Sequence, residues 1–108
     1  MVREYVEDPL NTVGPVAACT GNQTLRAFRR LRALWGAVAL PVYAFHGGAD
    51  KCTNMPATRE FVEGIASADK TFIEVPGGFH EVLLSPGWEG VVAGVGQWVL
   101  ARAAQPKM

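Results

Sequence analysis

The sequence predicts an α/β fold in which parallel strands are flanked by helices. Residues 40–46 (LPVYAFH) and 71–75 (TFIEV) are short apolar runs, typical of strands that are buried on both faces. Residues 56–67 (PATREFVEGIAS) lie between them and have helical spacing, so the three elements predict a right-handed βαβ unit. Further helices are expected at 21–35 and 88–104, because apolar side chains recur there with a helical period.

Glycine and proline mark the ends of these elements. Residues 8–16 contain two prolines and a glycine, which indicates turns. Gly36 is expected to end the first helix, and the Gly47-Gly48 pair to close the first strand. Pro56 suits the first turn of the second helix. The glycines within residues 88–104 weaken that helix, so we expect it to need packing in order to form.

The composition excludes several classes of function. The chain has 108 residues, 49% of them hydrophobic, and no formal net charge, which suits at most one folded domain. Ten basic and ten acidic side chains give no general attraction to nucleic acid. The longest apolar stretch, at 33–45, contains a proline and is shorter than the roughly 20 residues that a membrane-spanning helix needs.

The two cysteines, Cys19 and Cys52, have neither a disulfide pattern nor the spacing of a metal site. Neither has a base near it in the sequence, so we interpret both as structural. Reduced thiols of this kind favour an intracellular, cytoplasmic location.

An acid and a histidine follow the two predicted strands. Asp50 comes just after the first strand and His80 just after the second. Because the carboxyl ends of neighbouring parallel strands meet at one edge of a sheet, these side chains should lie within hydrogen-bond reach. A histidine can act as a general base near neutral pH, and a carboxylate behind it fixes its tautomer.

Each residue of this pair also has an ordinary structural interpretation. A lone histidine after a strand is more often a packed or surface residue than a catalyst, and Asp50 alone suits a turn. The other histidine, His46, stands at the end of a buried strand and is interpreted as structural. The pairing of Asp50 with His80, rather than either residue alone, indicates a catalytic site.

Two motifs around these residues resemble a known enzyme family. HGGAD at 46–50 and SADKTFIEVPGGFHEVL at 67–83 are similar to the C-terminal part of monoacylglycerol lipase-like α/β-hydrolases, also described as serine aminopeptidase S33. In that family the first motif carries the acid of a Ser-Asp-His triad and the second carries its histidine, where Phe79 replaces the usual tyrosine. The resemblance implies that Asp50 is the triad acid and His80 the base, with no metal or organic cofactor.

The resemblance also implies that the chain is part of a larger domain. Residues 1–20 would lead in from a missing cap region, and residues 21–108 would form the C-terminal βαβα part of an α/β-hydrolase domain. The two serines, Ser67 and Ser85, both follow Asp50 and neither lies in a Gly-x-Ser-x-Gly motif. We therefore expect the nucleophile to belong to a missing N-terminal part, and this chain alone to be inactive.

The family implies a serine hydrolase that cleaves carboxylic esters, with monoacylglycerol or lysophospholipid as substrate. Another esterase, an amidase or a peptidase stays open as an alternative, as does an inactive fragment that serves as a binding module. We expect no nucleic acid among the partners. Four arginines lie close together in the first predicted helix and predict a solvated helix face: Arg26, Arg29, Arg30 and Arg32. Because the implied substrate is a lipid, peripheral contact with a membrane stays open as an alternative.

Overall fold

The computed structural model of the protein describes residues 2–104. The chain divides into two compact units, Met1–Ala33 and Leu34–Met108. That boundary follows from contacts within this chain. The division predicted at residue 20 concerns the position of the chain in a larger hydrolase, and it stays a prediction.

The first unit is helical. Helix α1 (Val2–Glu7) was not expected from the sequence. An ion pair between Arg3 Nε and Glu7 Oε1, 2.7 Å apart and one helical turn apart, supports it. The helix ends where Asp8 Oδ1 accepts a hydrogen bond of 2.8 Å from the amide of Leu10, because this side-chain turn competes with further helical bonds.

Helix α2 (Ala18–Leu34) is the helix predicted at 21–35, and it begins earlier than expected. It runs through Gly21, and none of its residues is buried. A short 3-10 turn at Trp35–Ala37 follows it. Among residues 2–104, no helix is both long enough and apolar enough to cross a membrane.

The second unit contains the predicted βαβ arrangement. Its regular elements are β1 (Val42–Gly47), α3 (Met55–Gly64), β2 (Lys70–Val75) and α4 (Trp88–Ala103). The two strands pair in parallel, with Val42 opposite Lys70 and Gly47 opposite Val75. This register places the carboxyl ends of both strands at the same edge of the sheet, as the sequence predicts.

Helix α3 begins and ends for identifiable reasons. The side chain of Asn54 accepts a hydrogen bond of 3.1 Å from the amide of Ala57 and so caps the first turn. The helix ends at Gly64, earlier than predicted. The next residues lead into a turn, in which the Ser67 hydroxyl donates to the carbonyl of Asp69 at 3.0 Å.

Helix α4 packs against β1. The ring centroids of Trp98 and Tyr43 lie 5.7 Å apart. A β-carbon at Gly94 would come within 2.9 Å of the Tyr43 hydroxyl oxygen, so this glycine lets helix and strand approach closely. Arg102, in the last turn, donates from Nε to Asp69 Oδ2 at 2.6 Å and ties the helix to the residue just before β2.

The strands are less buried than the sequence predicted. Residues of β1 are half-buried apart from the buried Gly47, and β2 is exposed at Lys70, Ile73 and Glu74. The cause is the small size of the sheet, because two strands covered by α3 and α4 leave much of their surface open. The buried apolar side chains of the described residues are Val62, Ile65 and Val82.

Candidate active site

Two loops at the carboxyl ends of the strands form the candidate site. We call residues 48–54, after β1, the Asp50 loop, and residues 76–81, after β2, the His80 loop. The amide of Gly48 donates to the carbonyl of Val75 at 2.8 Å, and the amide of Ala49 donates to the carbonyl of Gly78 at 2.9 Å. These bonds extend the pairing of the strands into the loops and hold them side by side.

The glycines that the sequence analysis noted act in two different ways. A β-carbon at Gly47 would overlap the carbonyl oxygens of Gly78 and Phe79, so close approach of the loops requires glycine there. Gly77 has φ of +69°, a left-handed conformation that favours glycine and turns the His80 loop. The first effect is steric and the second conformational, and together they bring the two loops into contact.

Asp50 and His80 meet where these loops join. Asp50 Oδ2 lies 3.0 Å from His80 Nδ1. The Asp50 side chain is 2% exposed and that of His80 is 51% exposed, so the carboxylate lies behind a ring that solvent reaches. Because an ionised carboxylate can only accept hydrogen bonds, Nδ1 carries the proton and Nε2 is free to accept one.

Asp50 is held by hydrogen bonds to both of its oxygens. The amides of Cys52 and Thr53 donate to Oδ1 at 2.7 and 3.1 Å, and the Thr53 hydroxyl donates to Oδ2 at 2.7 Å. Loss of hydration raises the pKa of Asp50, but the hydrogen bonds from His80, Thr53 and Cys52 outweigh this and hold the pKa well below its usual range. The carboxylate is therefore ionised at neutral pH and fixed in orientation.

Comparison with known proteins identifies the family. A family described as serine aminopeptidase, S33, matches residues 1–87. The chain belongs to this family. Its fold is similar to the crystal structure of Paleococcus ferrophilus monoacylglycerol lipase, with a TM-score of 0.80 and 27% sequence identity. The similarity covers 93% of this chain, which we call the S33 chain, and 39% of the lipase chain. The S33 chain therefore spans well under half of the lipase that it matches. The predicted family and α/β-hydrolase fold are confirmed.

His46 of the S33 chain also reaches the candidate acid. Its Nε2 lies 3.0 Å from Asp50 Oδ2, and its Nδ1 lies 2.8 Å from the hydroxyl of Thr58 on α3. The sequence analysis interpreted His46 as structural and did not anticipate its contact with Asp50. The sequence signal for this contact is that His46 stands four residues before Asp50, with the Gly47-Gly48 turn between them. The ring links β1, α3 and the carboxylate, and so helps to position Asp50.

Cys52 differs from its interpretation as an isolated structural thiol. Its Sγ, a carboxylate oxygen of Asp50 and a ring nitrogen of His80 all lie within 4.8 Å of one another. Cys52 is exposed. Cys52 follows Asp50 by two residues, so the predicted meeting of Asp50 with His80 was the available signal for this group.

The two serines of the S33 chain lie elsewhere in the packing. Ser67 and Ser85 are buried, 3% and 9% exposed. Ser67 bonds to the carbonyl of Asp69 at 3.0 Å, and Ser85 donates to the carbonyl of Glu81 at 3.2 Å. Each hydroxyl is thus engaged in local structure, not directed to His80.

An open cleft surrounds the candidate pair. A cavity of about 190 Å³ is lined by both histidines and Asp50, together with Thr53 and Val82. A second groove, of about 330 Å³, also borders His80 and is mainly apolar, with walls from Phe45, Val82, Leu83 and Leu84. A polar group bound at His80 would therefore have an apolar surface beside it.

Proposed function

We propose that this chain supplies the acid and the base of a serine hydrolase that cleaves carboxylic esters. A serine from outside the chain attacks the ester carbonyl while His80 Nε2 accepts its proton, and His80 then protonates the departing alcohol. Asp50 holds Nδ1 and stabilises the imidazolium formed between these steps. The 3.0 Å contact between the buried Asp50 carboxylate and His80 Nδ1 is the observation that carries the proposal.

The surroundings of Asp50 favour a positioning role for the carboxylate. Two backbone amides hold Oδ1, so Oδ2 cannot turn away from His80 without the loss of these bonds. The depressed pKa keeps the charge in place at neutral pH, where an imidazolium needs a partner. A buried, fixed charge of this kind costs little reorganisation during the reaction.

The nucleophile and the oxyanion hole are proposed to come from a longer hydrolase. Both serines of the chain are buried and bonded locally, and the match covers only 39% of the lipase chain. The partly exposed strands are consistent with further strands beside them. On this proposal the chain alone hydrolyses no ester.

The proposed substrate is a lipid ester, monoacylglycerol or lysophospholipid. The apolar groove that borders His80 suits an acyl or alkyl chain next to the scissile bond, and one structurally similar protein is a monoacylglycerol lipase. Another esterase, an amidase or a peptidase would use the same pair of residues. An inactive binding module remains the competing class, and activity measurements separate it from all of these.

Peripheral contact with a membrane from the cytoplasmic side is a further part of the proposal. Leu25, Phe28 and Leu31 recur every third residue on α2 and are about half exposed or more, with arginines interleaved. Apolar and basic side chains on one helix suit an anionic lipid surface. We expect the 108-residue protein to sediment with anionic vesicles but not with zwitterionic ones. Sedimentation of equal fractions of the protein with both kinds of vesicle would contradict this part of the proposal.

A chimaera tests the hydrolase proposal. Residues 1–108 would replace the structurally equivalent segment of the Paleococcus ferrophilus lipase, and the product would be assayed on a monoacylglycerol, a lysophospholipid, a p-nitrophenyl ester and an anilide. We expect ester hydrolysis and labelling by a fluorophosphonate probe from the chimaera, and neither from the 108-residue chain. Probe labelling of the isolated chain would show that the nucleophile lies within it.

A further inference from the structure

We propose that Asp50, Cys52 and His80 form a zinc-binding site at the mouth of the cleft. Each offers one ligand atom, and the carboxylate oxygen, the thiol sulfur and the ring nitrogen all lie within 4.8 Å of one another. The inference does not depend on the proposed hydrolase, because it needs only these three side chains.

The three ligand types together favour zinc over the common hard cations. Thiolate, imidazole and carboxylate are all ordinary zinc ligands, whereas magnesium and calcium prefer sites made entirely of oxygen. Cys52 and His80 are exposed, so an ion can enter from solvent. Three protein ligands leave the fourth tetrahedral position to water.

Two of the three ligand atoms already have a separation that suits zinc. Asp50 Oδ2 and His80 Nδ1 are 3.0 Å apart, close to the roughly 3.3 Å between two ligands of a tetrahedral zinc with bonds of about 2.0–2.1 Å. The amide of Cys52 donates to Asp50 Oδ1 at 2.7 Å, which fixes the backbone of the cysteine relative to the carboxylate. The Cys52 sulfur lies within 4.8 Å of both of these ligand groups.

Thr53 and His46 would act as outer partners of the site. The Thr53 hydroxyl lies 2.7 Å from Asp50 Oδ2 and His46 Nε2 lies 3.0 Å from the same atom. Hydrogen bonds of this kind orient a ligating carboxylate. Because a thiol must lose its proton to bind zinc, binding transfers the Cys52 proton to the buffer.

Zinc at this site would exclude the proposed proton transfer. If zinc binds His80 Nδ1, the metal replaces the hydrogen bond to Asp50 and the ring proton moves to Nε2, which then cannot accept the proton of a serine. If it binds Nε2, that nitrogen cannot accept the proton of a serine. Either arrangement makes zinc an inhibitor of any hydrolase that uses His80 as its base.

Selective protection of Cys52 from alkylation tests the site directly. The 108-residue protein is treated with iodoacetamide in the presence of zinc, magnesium or a chelator, and peptide mass spectrometry follows each cysteine. Cys19, which is also free and exposed, is the internal control. We expect zinc to slow the alkylation of Cys52 at least tenfold and to leave Cys19 unchanged, with no effect of magnesium. Equal rates at Cys52 with and without zinc, or equal protection of both cysteines, would overturn the proposal.

Variants give a second test that requires no enzymatic activity. Zinc affinity is measured by competition with a chromophoric chelator, and far-ultraviolet circular dichroism checks the fold. Loss of an outer partner alone typically weakens a metal site about 10–100-fold, so we expect Cys52→Ser to weaken binding at least about 100-fold. Cys19→Ser, the matched control, should bind as the unmodified protein does. If Cys52→Ser and Cys19→Ser bind zinc equally, the site does not exist.

Discussion

The carbonyl oxygen of Gly78 occupies the space that a β-carbon on Gly47 would need. The same carbonyl accepts a hydrogen bond of 2.9 Å from the amide of Ala49. The end of β1 and the His80 loop are therefore in direct backbone contact. This contact sets the distance between Asp50 and His80, since each side chain follows its loop.

Gly47→Ala should therefore destabilise the protein and separate the pair. The added methyl group meets backbone, which cannot rotate away as a flexible side chain would, so we expect a loss of at least about 1–3 kcal/mol in the free energy of unfolding. Gly96→Ala in α4 is the matched control, because its β-carbon would lie in open space, and it should stabilise by roughly 0.5–1 kcal/mol. Urea denaturation measures both changes. Equal effects of the two substitutions would contradict the steric role of Gly47.

Thr53→Val should raise the pKa of Asp50. The substitution removes a hydroxyl that donates to Oδ2 at 2.7 Å and helps to hold the pKa low. Titration of the labelled Asp50 carboxyl carbon by NMR measures the change. Thr58→Val is the control, because that hydroxyl contacts His46 and should alter the pKa of Asp50 less. A pKa that is the same in Thr53→Val and in the unmodified protein would show that this bond does not stabilise the charge.

The pair formed by Asp69 and Arg102 should contribute to the acid sensitivity of the fold. The hydrogen bond from Arg102 holds the pKa of Asp69 below its usual value, against partial loss of hydration. A group with a lower pKa in the folded state adds stability above its unfolded pKa, about 3.9, and loses it as the pH falls through the folded value. Asp69→Asn should thus be less stable at neutral pH and lose less stability on acidification below about pH 4. Urea denaturation at a series of pH values measures this, and parallel curves for the two proteins would exclude the effect.

Much of the fold around the site could be predicted because it depends on local patterns. Apolar runs mark both strands, and the rule for parallel strands places Asp50 and His80 at one edge of the sheet. Their separation of 3.0 Å agrees with that expectation, while their catalytic roles stay a proposal. The low burial of the strands was not predictable. An apolar run indicates that a strand suits a buried position in a sheet, but it does not indicate how much of that strand the helices of this chain cover.

The details that the sequence did not reveal depend on side-chain geometry. Helix α1 is short, and an ion pair between Arg3 and Glu7 supports it. The contact of His46 with Asp50 depends on how the Asp50 loop turns. The approach of Cys52 to His80 depends on the path of two loops that are distant in the sequence. Periodicity and composition carry no information on such contacts.

Substitution of His80 in the chimaera with the Paleococcus ferrophilus lipase tests the central claim most directly. The comparison uses His80→Ala and, as a control, Glu63→Gln at an exposed position on α3, with kcat/KM for a p-nitrophenyl ester as the measured quantity. We predict that His80→Ala lowers kcat/KM at least about 10³-fold, because the attacking serine loses its base, while Glu63→Gln stays within about twofold of the unmodified chimaera, as expected for a surface side chain away from the cleft. A His80→Ala chimaera that hydrolyses the ester as fast as the Glu63→Gln chimaera would contradict the assignment of His80 as the base.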